Sequence, residues 1–286
     1  MVGVKRSSLL GSLLLVAVAA YLLLPILASL LFALATRWDH TLWPEGFTLE
    51  AFHGVLSHPD FWAALSRSLL LAVGSVLLSA LLILPAALAA DLAVPRLRPI
   101  LEVFSLLPYA IPGVLLALGL IQVYAPLPLP FYGTPLLLLF AVSAVAMPFM
   151  YRAVEGALQT TRMKDLVEAG LTLGASWPFL LRQVVIPVLA PGLLSGSLLV
   201  MSLAFGEFAL TNLLVGSSWK TLPVWIYQVS NTNGQVGSVL AVISFSLTFL
   251  LVGLLLRQGH GGGMTLVPGN ETLGEVLSRG AGRQGS

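Results

Sequence analysis

The chain has 286 residues, 57% hydrophobic and only 9% charged, with a formal net charge of +2. A soluble domain carries about 25% charged residues and could not hide this much apolar surface, so the chain reads as an all-α, polytopic membrane protein. No basic stripe with interleaved aromatics supports nucleic acid as a partner, and the absence of Cys removes disulfides and thiolate metal sites without identifying a compartment.

A helix needs about 20 apolar residues to cross a bilayer. Six segments qualify: 9–35, 68–90, 100–124, 134–150, 192–215 and 236–256. The first is too long for the apolar core of a signal peptide, about 7–15 residues. It reads as an uncleaved span, although Ala33-Leu34-Ala35 mimics a cleavage site. The stretch after it, 36–67, carries Trp38, Trp43, Phe47, Phe52, Phe61 and Trp62. These form either an aromatic belt at the interface or a surface that meets an external partner.

In the third segment Pro108 and Pro112 each remove a backbone hydrogen bond and bend the helix. Broken helices line cavities in transporters, so both are candidates for a translocation path. Proline tolerated in the ordinary way of membrane helices is the alternative. Asp91 and Glu102 lie close to Arg96 and Arg98, where ion pairing and anchoring explain them. The fifth segment opens on Gly192 and Gly196, a small-xxx-small face suited to close helix packing. Further along is Glu207, with Thr211 and Asn212 nearby. An acid inside a span is costly and therefore informative. Glu207 and Asn212 either face the path or hold a helix end.

Lys and Arg set the orientation. With six spans and the N-terminus inside, the inner set is Lys5, Arg6, Arg96, Arg98, Arg152, Arg162, Lys164, Arg182 and Arg257, with Arg279 and Arg283 in the tail. The outer set is Arg37, Arg67 and Lys220. The bias favours an N-in, C-in topology and puts the loop at about 155–190 in the cytoplasm.

That loop reads as two short helices. Apolar spacing of Met163, Val167 and of Leu166, Ala169, Leu173 predicts a helix over 159–173. Gly174 ends it through the left-handed conformation. Ser176 caps a second helix, with Trp177-Pro178 in its first turn, and that helix stops before Pro187. A helix, a corner and a helix make a knob that can transmit a rigid-body displacement.

Glu168-Ala169-Gly170, then Gly174, then Val184-Val185-Ile186-Pro187 resembles the cytoplasmic coupling loop of binding-protein-dependent ABC importer permeases. That pattern is EAA, three residues, Gly, nine residues, then I-x-L-P. Here Glu168, Ala169, Gly174 and Pro187 fall on it, Gly170 replaces its third residue, and Val184 and Ile186 are apolar variants. The wording around WPEGFTLEAF, LLPYAIPGVLLALG and FGEF resembles the polyamine, ferric iron, thiamine and phosphonate group of that family.

The resemblance implies a type I ABC importer permease in the bacterial cytoplasmic membrane. Residues 1–257 form the transmembrane domain, and 258–286 a disordered, Gly-rich cytoplasmic tail. The implied partners are a dimer of ATPase subunits, a second permease subunit, identical or paralogous, an external solute-binding protein and the lipid bilayer. Glu168 would be an acid at the ATPase interface. The implied substrate is a small polar solute, a polyamine first, with ferric iron, thiamine or phosphonate as alternatives.

No GxxxxGK[ST] motif is present, so ATP and Mg belong to the partner ATPase, with no cofactor expected on this chain. No HExxH and no Ser/His or paired-acid constellation supports a membrane enzyme. A zinc site among His40, His53 and His58 has little behind it. The rival is an ion-coupled secondary transporter working as a dimer, for which Glu207 alone is thin support.

Overall fold

The computed structural model describes residues 3–38, 41–127 and 131–261. The chain order is α1 (Gly3–Leu34), α2 (Glu50–Ser57), α3 (Pro59–Leu92), α4 (Leu97–Ala110), α5 (Gly113–Tyr124), α6 (Pro135–Thr161), α7 (Met163–Thr172), α8 (Trp177–Leu180), α9 (Ile186–Phe205), α10 (Ala209–Leu214), α11 (Leu222–Ser230) and α12 (Gly234–Gly261). Five helical stretches are long and apolar enough to cross a membrane: 11–34, α3, α6, the run Trp177–Phe205 and 234–253. The bent pair α4–α5 makes a sixth.

The third span differs from a straight 100–124 helix. It turns by 95° between Ala110 and Gly113. Ile111 precedes a proline and is pushed into the extended region, φ −87°, ψ 127°. Pro112 supplies no N–H and starts α5. Pro108 lies inside α4 without breaking it.

The second helix of the 155–190 loop also differs from expectation. It does not stop before Pro187. A π-helical turn, Leu181–Val185, carries it into α9, where Pro187 occupies the first turn. Proline is tolerated there because the wider i→i+5 turn that precedes it makes room for its ring and its missing N–H. The helical run that carries the fifth span thus begins at Trp177, well before 192. It ends early, at Phe205, with Gly206-Glu207-Phe208 separating it from α10.

At the other end, α12 runs past 257 to Gly261. Arg257 and Gln258 are good helix formers that continue the last turns. The remainder of the expected tail, 262–286, lies outside the described residues.

Central α6 packs on α9, α3 and α4. Glycine allows its close approach to α9. A Cβ on Gly192 would lie 2.8 Å from the Ala153 carbonyl oxygen, and one on Gly196 would lie 2.9 Å from the Met150 sulfur. The small-residue face is therefore internal packing. α1 packs mainly on α12 and leaves Leu14, Tyr21 and Leu24 exposed, as a lipid-facing helix does.

Two apolar clusters fill the bundle. One joins Phe61, Leu138, Leu210, Leu222 and Leu240. The other joins Met150, Val154 and Leu189 to Met163, Val167, Leu180 and Val185. It extends the membrane core directly into the cytoplasmic loop.

Candidate functional site

The loop folds as two helices clamped together. α6 ends at Thr161, and Arg162 turns the corner at φ +45°. α7 then presents Met163 and Val167 inward. Its expected second apolar row, Leu166, Ala169 and Leu173, faces outward, with Leu173 88% exposed.

Gly174 closes α7 at φ +82°. Its N–H donates to the Leu171 carbonyl at 2.9 Å, and the Ala175 N–H to the Gly170 carbonyl at 3.0 Å. This pair of bonds is the Schellman closure, which uses the left-handed residue that glycine adopts without strain. Open space surrounds a Cβ built on Gly174, so its role is conformational. Gly170 differs: a Cβ there would lie 2.4 Å from Leu180 Cδ2. Ser176 stands at the start of α8, but its side chain makes no capping hydrogen bond.

Glu168 is exposed on α7, 3.8 Å from Lys164 one turn earlier. Around it Leu166, Leu171, Leu173, Trp177 and Phe179 are exposed. The outer face of the hairpin thus mixes these apolar side chains with Lys164, Asp165 and Glu168, while Met163, Val167 and Leu180 are sealed into the bundle.

The candidate path residues fall in two places. Glu207 occupies the break before α10 and is partly buried, and its Oε1 accepts the Leu210 N–H at 2.8 Å. It holds a helix end. Thr211 Oγ1 donates to the Glu207 carbonyl, and Asn212 lies within α10, partly buried. The start of α5 meets this break, since a Cβ on Gly113 would lie 3.5 Å from Ala209 Cβ. Pro112 and Glu207 therefore mark two helix breaks in contact. Pro108 lies on the other side of the bend.

A separate chamber of about 440 Å³ lies between α4, α6 and α9. Its polar lining is Tyr109, Arg152 and Ser195, set among Leu106, Phe149 and Leu199. Arg152 Nη2 bonds Glu102 Oε1 at 2.5 Å, and its Nη1 lies 3.6 Å from Glu155. Tyr109 and Phe149 meet edge to face at 5.3 Å. Sequence reasoning counted Arg152 only as a topology marker. The available signal was a lone basic residue just past the fourth segment, four residues after Pro148. Nearby, Arg98 pairs with Asp91, and the Tyr151 hydroxyl donates to the Arg98 carbonyl at 3.3 Å.

At the start of α3 Lys220 pairs with Asp60 at 3.4 Å. His58 Nδ1 accepts the Asp60 N–H at the start of α3, and its ring packs on Trp225. His40 lies outside the described residues.

Residues 83–260 match the family described as binding-protein-dependent transport system inner membrane component. The chain is 32% identical over 238 residues to the putative 2-aminoethylphosphonate transport system permease protein of Salmonella typhimurium, covering 83% of this chain and 89% of that one. It is 31% identical over 259 residues to the molybdenum transport system permease protein of Mycobacterium tuberculosis, covering 83% and 92%. It is 25% identical over 244 residues to the spermidine/putrescine transport system permease protein of Escherichia coli, covering 85% and 90%. Among solved structures, a bacterial ABC transporter involved in alginate import shares the fold at TM-score 0.64 and 18% identity, over 90% of this chain and 97% of that one. The MetNI methionine ABC transporter does so at TM-score 0.55 and 19% identity, over 72% and 99%.

Proposed function

The chain belongs to the binding-protein-dependent transport system inner membrane component family, and from that premise we propose that it couples a separate ATPase to movement of a small polar solute. It is a multi-pass permease subunit of the bacterial inner membrane. The observation that carries the coupling role is the shared cluster of Met163, Val167, Leu180 and Val185 with Met150, Val154 and Leu189. Packed interiors transmit displacement because they do not compress. A push on the hairpin therefore moves α6 and α9 together. Two ATPase subunits dock on the exposed faces of two such hairpins, with Glu168 and Leu173 at the contact. A second permease subunit completes the path, and an external binding protein delivers the solute. ATP and Mg reside on the ATPase pair, and the two access states differ in how the hairpins are held.

The substrate is best taken as an aminoalkylphosphonate. The relative carrying that name is 32% identical, against 31% for the molybdenum permease and 25% for the spermidine/putrescine permease, which supports placing a phosphonate ahead of the polyamine.

Purification from native membranes in mild detergent tests the reading. A stoichiometric P-loop ATPase, and solute-stimulated ATP hydrolysis once the binding protein is added, are expected. A stable homo-oligomer without ATPase overturns it and favours an ion-coupled secondary transporter.

A further inference from the structure

The Glu102–Arg152 pair lies at the cytoplasmic end of the chamber between α4, α6 and α9. Leu106 and Tyr109 follow Glu102 by four and seven residues on α4, the spacing of one helix face. Phe149 precedes Arg152 by nearly one turn on α6, and Ser195 and Leu199 stand one turn apart on α9. Arg152 thus lines this space with Glu102 bonded to its guanidinium just beside it, and the Tyr109–Phe149 contact forms another part of its wall. At about 440 Å³ the chamber suits a small solute.

We infer that this chamber is a transit site for a zwitterion, whose anion takes the place of Glu102 on Arg152 and whose ammonium pairs with the released Glu102. The inference rests on the importer reading and names the groups that hold its solute. Side chains of the pair are 55% and 41% exposed. Pairs this exposed contribute little and exchange partners readily. Glu155 at 3.6 Å stays on the guanidinium during the exchange.

The apolar lining supplies selectivity. A simple anion on Arg152 leaves Glu102 without a partner beside Leu106, and a simple cation on Glu102 leaves Arg152 with Glu155 alone. Only a solute with both charges makes a charge-assisted contact to each group, whereas a singly charged one makes a single contact. Ser195 Oγ donates to the Gly192 carbonyl, which leaves its oxygen free to accept from the ammonium.

The test is equilibrium binding of radiolabelled 2-aminoethylphosphonate to the purified transporter complex, without binding protein, competed by ethylphosphonate and by ethylamine. Saturable binding is expected, with each singly charged competitor at least about tenfold weaker, the scale of one lost charge-assisted contact. Arg152→Gln and Glu102→Gln should each lose about the same factor. The competitor series needs no variant to fold. Absence of saturable binding, or equal competition by ethylphosphonate, in a complex that retains its ATPase overturns the site and leaves the importer reading intact. Zwitterion-selective binding without an ATPase supports the site and sinks the importer reading.

Discussion

Leu180 occupies the space that a side chain at Gly170 would need: a Cβ at 170 would lie 2.4 Å from Leu180 Cδ2, and Leu180 is 1% exposed. The two residues face each other across the corner of the hairpin and fix how closely α8 lies on α7. Glycine at 170 costs α7 some helix propensity. The close approach of Leu180 is what that cost obtains.

Gly170→Ala should therefore loosen the corner, with an overpacking cost of about 1–3 kcal/mol. ATP hydrolysis should persist while transport per ATP falls. Adding Leu180→Ala removes the clash and should restore part of the coupling. If the double variant is worse than both singles, the two positions are not a complementary pair. The readout is the ratio of solute transported to ATP hydrolysed in proteoliposomes.

Gly174 calls for the opposite kind of argument. Its surroundings are open and its φ is +82°. An L-residue in the left-handed region costs about 1–2 kcal/mol whatever its size. Gly174→Ala and Gly174→Leu should thus impair coupling to a similar degree, with Gly174→Asn milder. A graded loss with side-chain volume would show that a partner surface, and not the backbone, demands glycine.

The sequence made the hairpin legible because its signals are local: glycine at a corner, apolar residues three and four apart, a polar stretch between spans. The number of spans was legible for the same reason. Three features were not. Continuity of α8 into α9 through a π-helical turn depends on Val185 and Leu189 being pulled into one buried cluster, which no spacing reports. The break before Glu207 follows from Gly206 and the contact of α10 with α5, both tertiary. The Arg152–Glu102 pair joins residues 50 apart, and each end looks like an ordinary interfacial charge on its own.

Glu207 illustrates how a costly acid can have a structural duty. Its Oε1 accepts from the Leu210 N–H, so Glu207→Gln keeps an acceptor while Glu207→Ala loses one. Loss of such a cap costs about 1 kcal/mol. Glu207→Ala should lower the thermal stability of the purified complex and Glu207→Gln should not. An uptake defect in Glu207→Gln, with normal stability and assembly, would then report the charge itself acting on solute. Equal destabilisation by both variants would refute the capping role.

Glu168→Lys separates docking from folding. Glu168 is exposed and its near neighbour is Lys164 at 3.8 Å. Reversal places two lysines at i and i+4, a penalty of only about 0.2–0.5 kcal/mol within α7. The hairpin should stay folded, because Met163 and Val167 remain buried on the other side. A fall in transport of about tenfold or more therefore belongs to the contact with the ATPase, where one charge-assisted hydrogen bond is worth about 1.5–3 kcal/mol. Lys164→Glu creates the same local repulsion with the opposite sign and is the control. It should leave transport close to wild type. Matching losses in the two variants would trace the defect to repulsion inside α7 and remove Glu168 from the interface.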